Sequence, residues 1–384
     1  VYKRQMVINA ARPADVGMVR ELIRWIEGDE RRERAKAKRA DASKDWVAAT
    51  CTWERFRAGL ERTTAIKGVG CDGFNAYLIW KADEEQQRGY WRALQECVRR
   101  RAFPEEWRER IAMMQMKPGE DPVDLSRRRD LWLECHGSKL VMWMLGAEYE
   151  RAAERAVPLS QAGSVQGRGC PEQSLVMRCQ KEQAAVEGGM CCRAYCDMGV
   201  WFMSCVREVQ WEVEKWCDVR PDVTETVQAM QRTARGRYET AYGMTETFPM
   251  WSTNFQGCSQ SPTRSKFQLR LIQETIRKLC EGYRFRGAAN STPTCYYVDD
   301  GAFCCKDLAT MQLVLDTCWM VTRATGAKMM IKDCKKTAWQ ATYWVGGEEH
   351  EVSGWEVRLP DGRKVPQVSA RAPKAGEGGR ARMR

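Results

Sequence analysis

The segment Thr294–Cys305, TCYYVDDGAFCC, sets two carboxylates, Asp299 and Asp300, side by side in an otherwise apolar run. Alternation predicts a short strand over Cys295–Val298, with Cys295 and Tyr297 on one face and Tyr296 and Val298 on the other. Asp-Asp-Gly then reads as a tight turn, and Ala302–Cys305 as the returning strand of a hairpin. Two unit negative charges ~4 Å apart repel by roughly 4 kcal/mol at an effective dielectric of about 20. A half-buried hairpin tip holds such a pair only with compensation, from solvent around a polar turn or from a divalent cation. The hairpin alone leaves both readings open.

Composition narrows the field. A chain of 384 residues is long enough for two or three subdomains, and 43% hydrophobic with 29% charged residues reads as globular and soluble. No apolar run approaches the roughly 20 residues that span a bilayer, and no signal peptide is visible, so no membrane partner is expected. The formal charge of +11 points to a polyanionic partner, nucleic acid first. The 18 cysteines form no C-x-x-C pair and are joined by only two histidines, His136 and His350, so zinc-ligand spacing is absent. They read as reduced, mostly buried thiols of an intracellular protein. The opening VYKRQ reads as a cloning or sequencing scar, and the basic, Gly/Ala-rich ending SARAPKAGEGGRARMR as disordered, so both ends suggest a fragment.

Along the chain, residues 1–64 are charged and helix-biased, with Val16, Val19, Leu22, Ile23 and Ile26 at helical spacing and a basic continuation from Asp29. A Gly-rich loop, Lys67–Gly73, precedes helical residues from about Glu84, and Pro104 breaks that pattern. Met113–Met116 reads as a strand, Lys117-Pro118-Gly119 as its turn, Leu131–Leu133 as a partner strand and Ser138–Arg155 as a helix. From Met190 the pattern is mixed: MCCRAYCDMG is a buried strand ending at Asp197, and WFMSCVREVQWEVEKW a following helix. A helix led in by Ser261-Pro262, the Asp-Asp hairpin, a helix over Leu308–Thr325 and a strand in GAKMMIKDCKKTAW complete it. This order suits an α+β fold with an antiparallel sheet backed by helices.

A strand-terminal carboxylate in one segment and a hairpin pair in another is what two-metal phosphoryl transfer requires. Asp197 ends such a strand about a hundred residues before Asp299, although a lone aspartate there also suits a helix N-cap.

The motifs AYCDMGVWF, NFQGCSQSP, YYVDDGA and KKTAW follow the order and spacing of reverse-transcriptase palm motifs. KGVGCDGF, FPEEW, MKPGEDP, RRRDLWLECHGSK and QAGSVQGRGCPEQS resemble the upstream fingers signatures in the same order. From about Lys67 to Trp344 the chain resembles non-long-terminal-repeat (LINE-type) retrotransposon polymerases. The resemblance implies a right-hand polymerase with fingers over residues 65–189 and a palm over 190–345. It implies an RNA-directed DNA polymerase that adds dNTPs to a DNA primer on an RNA template, with two Mg²⁺ ions, or Mn²⁺ as a substitute. Asp197, Asp299 and Asp300 match the metal carboxylates, and Phe202 matches a bulky gate against a ribose 2′-hydroxyl. Lys117 and Arg129 match fingers residues that close on the triphosphate, with Arg127 and Arg128 as neighbours in register. Gln256-Gly257 matches the motif beneath the nascent base pair. Lys336 matches a lysine that donates a proton to pyrophosphate, with Lys335 an equal rival by position.

The departures are Met203, where many relatives carry an acid, and residues 346–384, a partial strand region and basic tail where a primer-grip strand and helical thumb are expected. Against the family pattern the thumb is expected to be largely missing from this stretch, and with no endonuclease or zinc-knuckle motif read in it, target cleavage is not assigned to it. The rival readings are an RNA-dependent RNA polymerase, against which Phe202 and the Tyr-Val-Asp-Asp form stand, and an inactive retroelement relic that holds RNA. Group II intron maturases share the palm and are the nearest family rival. The setting is expected to be nuclear or a cytoplasmic ribonucleoprotein.

Overall fold

Helix boundaries follow capping chemistry in a computed structural model that describes residues 14–28, 45–63, 67–116, 128–165, 167–199, 201–252, 254–289, 291, 294–331 and 336–369. The expected basic continuation at 29–44, the Lys117-Pro118-Gly119 turn and the basic tail from 370 lie outside these residues. Helix α1 (Val16–Glu27) buries Val19, Ile23 and Ile26 of the apolar stripe. Three short helices, Trp46–Thr50, Trp53–Leu60 and Tyr77–Lys81, lead to α2 (Glu84–Arg100). The Asp83 carboxylate caps α2 by accepting from the Gln86 N–H at 2.8 Å, with acids in the first turn and arginines in the last.

Strands β1 (Glu109–Met116) and β2 (Arg128–Leu133) precede α3 (His136–Ala156) and α4 (Cys170–Glu187). Gly188 closes α4 at φ +63°, a left-handed conformation that costs glycine little. Strand β3 (Met190–Asp197) ends where expected. The single helix expected after it is instead two pieces, Trp201–Ser204 and α5 (Arg207–Trp216). Between them Val206 bridges Ser252, and the Arg207 N–H donates to the Trp251 carbonyl at 3.0 Å. There follow α6 (Pro221–Gln231), β4 (Arg235–Thr240), β5 (Gly243–Met244), β6 (Phe248–Pro249) and α7 (Ser261–Leu279). The last elements are β7 (Thr294–Tyr297), β8 (Asp300–Cys305), α8 (Leu308–Thr325), β9 (Ala338–Val345), β10 (Glu348–Glu351), β11 (Val357–Arg358) and β12 (Lys364–Val365).

The chain divides into two compact units, one mainly Ile23–Ala156 with Cys205–Gln268, the other mainly Val157–Ser204 with the described residues from Leu269 onward. In the first, β2, β1, β4 and β5 form a sheet in that order, and β6 also pairs with β4. It is not wholly antiparallel, because β1 and β4 run parallel from Glu109↔Arg235 to Ala112↔Tyr238. Trp132 of β2 is buried against Tyr238, ring centroids 5.6 Å apart, and Tyr238 stacks on Phe248 at 5.7 Å. Beneath, the fully buried Arg264 guanidinium pairs with Glu214 at 2.7 Å, and the Gln210 amide donates to the same carboxylate oxygen at 2.9 Å.

The second unit is an α+β layer with an antiparallel sheet ordered β10, β9, β3, β8, β7. Side chains alternate along β3, so the two faces pack differently. Cys191 joins Ala184 of α4 and Trp344 in one apolar cluster, while Cys196 lies against Cys318 of α8. Helices therefore back the sheet on both faces, as the pattern of buried thiols requires. Every described cysteine is free, and most are buried.

Candidate active site

The register of the second sheet brings the carboxylates together. β3 pairs with β8 so that Asp197 lies directly opposite Asp300, and β8 pairs with β7 so that Tyr297 lies opposite Asp300. Residues opposite one another in an antiparallel pair share a face, with Cβ atoms typically about 5 Å apart. The turn between β7 and β8 is therefore Val298-Asp299, and the Asp-Asp-Gly turn expected from the sequence is displaced by one residue. Asp300 begins the returning strand instead of shaping the turn. Gly301 has a packing role there: a Cβ at that position would lie 2.8 Å from the Tyr296 ring.

Val298 takes φ +55°, a left-handed conformation in which a β-branched side chain is a rarity. Asp299 follows it at the apex. Burial first, and then the neighbouring Asp300 and Asp197 carboxylates, push the Asp299 carboxyl up to about 6. Burial and the Asp197 carboxylate likewise raise Asp300, although the residue as a whole is exposed. Lys336 opposes both shifts.

Lys336 enters the site just before β9. Its ammonium lies 3.0 Å from Asp197 Oδ2 and 3.1 Å from Oδ1, a bridging geometry that uses both oxygens. The Asp197 backbone is fixed on both sides, its N–H donating to the Thr337 hydroxyl at 3.2 Å and its carbonyl accepting from Met330 N–H at 2.9 Å. Asp197 is a strand residue, so the N-cap alternative does not describe it. Of the two rival lysines, Lys335 lies outside the described residues.

Among the described residues, no group of three or more His, Cys, Asp and Glu side chains is gathered into metal-holding geometry. The donor chemistry nevertheless suits a hard divalent ion. Three carboxylates interact electrostatically, two have raised proton affinity, and the cation beside Asp197 is an exposed, flexible lysine. Phe202 is half-buried on the short helix Trp201–Ser204, between the buried Trp201 and Met203.

Of the remaining expected site residues, Arg129, Gln256 and Gly257 belong to the first unit. Lys117 lies outside the described residues, and Arg129 is exposed on β2 opposite Gln115. Gln256-Gly257 forms a turn docked on the same strand, the Trp132 N–H donating to the Gln256 carbonyl at 2.8 Å. Gly257 has φ +120°, and a Cβ there would meet the Trp132 carbonyl oxygen at 2.5 Å, so only glycine fits.

That turn borders a cavity of about 430 Å³ whose cationic lining the sequence reading missed: Arg62, Lys67 and Lys139, beside Trp143. The Arg62 guanidinium lies over the Trp143 ring, 4.1 Å from its centroid. Burial lowers the Lys139 ammonium from its usual range, with Lys67 adding to the effect and Glu134 opposing it. Glu134 itself is buried and paired with Arg110 at 3.1 Å. His136, in the same lining, accepts from the Ala76 N–H at Nδ1 (2.9 Å) and places Nε2 3.1 Å from the Gly68 carbonyl, the pattern of a neutral Nε2–H ring. Burial holds its proton affinity below the ordinary value. These cations come from separate segments, so no local motif marks them.

No known protein-family model and no curated protein matches the chain. No helix among the described residues is long and apolar enough to cross a membrane.

Proposed function

We propose that the chain is an RNA-directed DNA polymerase of the right-hand type, resembling non-long-terminal-repeat retrotransposon enzymes. The observation that carries this reading is the register of Asp197 against Asp300, with Asp299 one residue away at the hairpin apex. Like charges directly opposite on neighbouring strands destabilise a sheet, so an arrangement of this kind calls for a cationic partner in function. Mg²⁺ held by Asp197, Asp299 and Asp300 would supply that charge and acidify the attacking hydroxyl.

In the reaction the primer 3′-hydroxyl would lose its proton to solvent as its oxygen bonds to the α-phosphorus of a dNTP, and the bond to the bridging oxygen of pyrophosphate would break. Lys336, paired with Asp197, would give its proton to departing phosphate oxygens. Phe202 discriminates against NTPs by clash with the 2′-hydroxyl. The cavity beside Gly257, lined by Arg62, Lys67 and Lys139 without a carboxylate, suits phosphate oxygens of a template or a nucleotide. Partners are therefore an RNA template, a DNA primer or RNA–DNA hybrid, and dNTPs.

A second reading, an RNA-binding relic without catalysis, is favoured by one observation: Lys336 bridges both carboxylate oxygens of Asp197. Primer extension with Mg²⁺, comparing dNTPs with NTPs, separates the two. The polymerase reading expects dNTP extension that is lost in Asp299→Asn, and Phe202→Ala protein that gains NTP incorporation by at least tenfold, a ~1.4 kcal/mol loss of discrimination. RNA binding with no extension by either protein supports the relic.

A further inference from the structure

One of the two edge strands of the second sheet is β7, and a loop pairs with it. The Tyr296 N–H donates to the Ser160 carbonyl at 2.7 Å, and the Ala162 N–H donates to the Tyr296 carbonyl at 2.8 Å. Gln161 thereby forms a short parallel bridge with Tyr296, two residues before the hairpin tip. Its side chain is fully buried and engaged with that tip. Oε1 accepts from the Val298 N–H at 3.1 Å and from the Gly163 N–H at 2.7 Å, while Nε2 donates to the Val298 carbonyl at 3.3 Å.

One amide thus grips both backbone polar groups of the residue at φ +55°. Gly163 completes the clamp, because a Cβ there would lie 2.1 Å from the Val298 nitrogen and 2.6 Å from its Cγ2. A β-branched residue adopts a left-handed conformation only where its surroundings over-determine it. Here the determinants are the Gln161 amide and the close approach of Gly163. Neither touches Asp197 or Lys336 in the hydrogen bonds of the site.

We propose that Gln161 is a positioning residue for the carboxylate pair: its amide holds the Val298-Asp299 turn left-handed and so keeps Asp299 and Asp300 in register with Asp197. The clamp rests on the polymerase reading, in which those carboxylates bind a divalent ion. The register at Tyr297↔Asp300 depends on a two-residue loop. Relaxing Val298 to negative φ would change that loop and carry Asp299 away from the strand end. Glycine at the position would not need the clamp, since positive φ costs it little.

The test is Mn²⁺ binding to the full chain, followed by electron paramagnetic resonance of the free ion without nucleotide or nucleic acid. Wild type, Asp299→Asn, Gln161→Met, Val298→Gly and the Gln161→Met/Val298→Gly double variant are compared, each with a far-ultraviolet circular dichroism melt. Gln161→Met is expected to weaken Mn²⁺ affinity by about tenfold or more, the usual effect of removing support behind a ligand. The double variant is expected to recover to within about threefold of wild type, a difference of ~0.7 kcal/mol. If Gln161→Met is unfolded but the double variant folds and binds Mn²⁺, the clamp also stands. Wild-type affinity in a folded Gln161→Met protein overturns the inference. So does a double variant that fails to recover, whether by remaining unfolded or by binding weakly. Wild-type protein that binds no Mn²⁺ above the Asp299→Asn level overturns the polymerase reading itself, and the clamp's role with it.

Discussion

Asp299 differs from an ordinary aspartate because burial and two neighbouring carboxylates raise it from 3.8 to about 6. Since the folded value lies above the unfolded one, the fold binds this proton more tightly, and the stability it contributes is complete below pH ~4. That contribution is lost as pH rises through about 6. In divalent-free buffer, the melting temperature of Asp299→Asn relative to wild type is therefore expected to climb between pH ~4 and ~6 and to level off above. A flat difference across that range would mean that neither burial nor the neighbouring Asp300 and Asp197 carboxylates raise Asp299 in the fold. Gly301 gives a second residue-scale expectation. Its Cβ would lie 2.8 Å from the Tyr296 ring, so Gly301→Ala is expected to cost about 1–3 kcal/mol in denaturant unfolding, the range for overpacking.

At the scale of elements, α8 and β3 were legible because local chemistry marks both their ends. Asp307 caps α8 by accepting from the Thr310 N–H at 2.7 Å, and Gly326 ends it at φ +86°. Asp307→Ala is expected to remove about 1 kcal/mol of stability, measured by the same denaturant titration. The misread elements had competing or non-local determinants. Asp-Asp-Gly has better turn chemistry than Val-Asp, yet the Gln161 amide and the Tyr297↔Asp300 register place the turn at Val298-Asp299. Residues 201–216 carry unbroken helical propensity, and the break at Cys205 comes from a distant segment, Trp251-Ser252. The parallel pairing of β1 with β4 joins strands more than a hundred residues apart, beyond any local signal. In the candidate site, the grouping of the three aspartates was legible from their motif spacing, whereas the positions of Gln161, Arg62 and Lys139 rest on contacts that no short pattern encodes.

Across the whole molecule two electrostatic features stand apart. The buried Arg264–Glu214 pair is fully excluded from water, so removing one partner leaves an uncompensated charge. Glu214→Gln is expected to cost about 3–5 kcal/mol of unfolding free energy, far more than any exposed ion pair would. The chain's net charge of +11 suits the proposed nucleic-acid partner. Affinity for single-stranded RNA is expected to fall at least tenfold between about 50 and 200 mM salt, as counterion release demands. Binding that ignores salt would remove phosphate contacts from the proposal. The most direct measurement is extension of a labelled DNA primer on a heteropolymeric RNA template in Mg²⁺, with each dNTP withheld in turn. Arrest at each template position that requires the missing dNTP, with no product from Asp197→Asn, is the expected result. Primer left unextended by folded, RNA-bound wild-type protein with all four dNTPs present would contradict it.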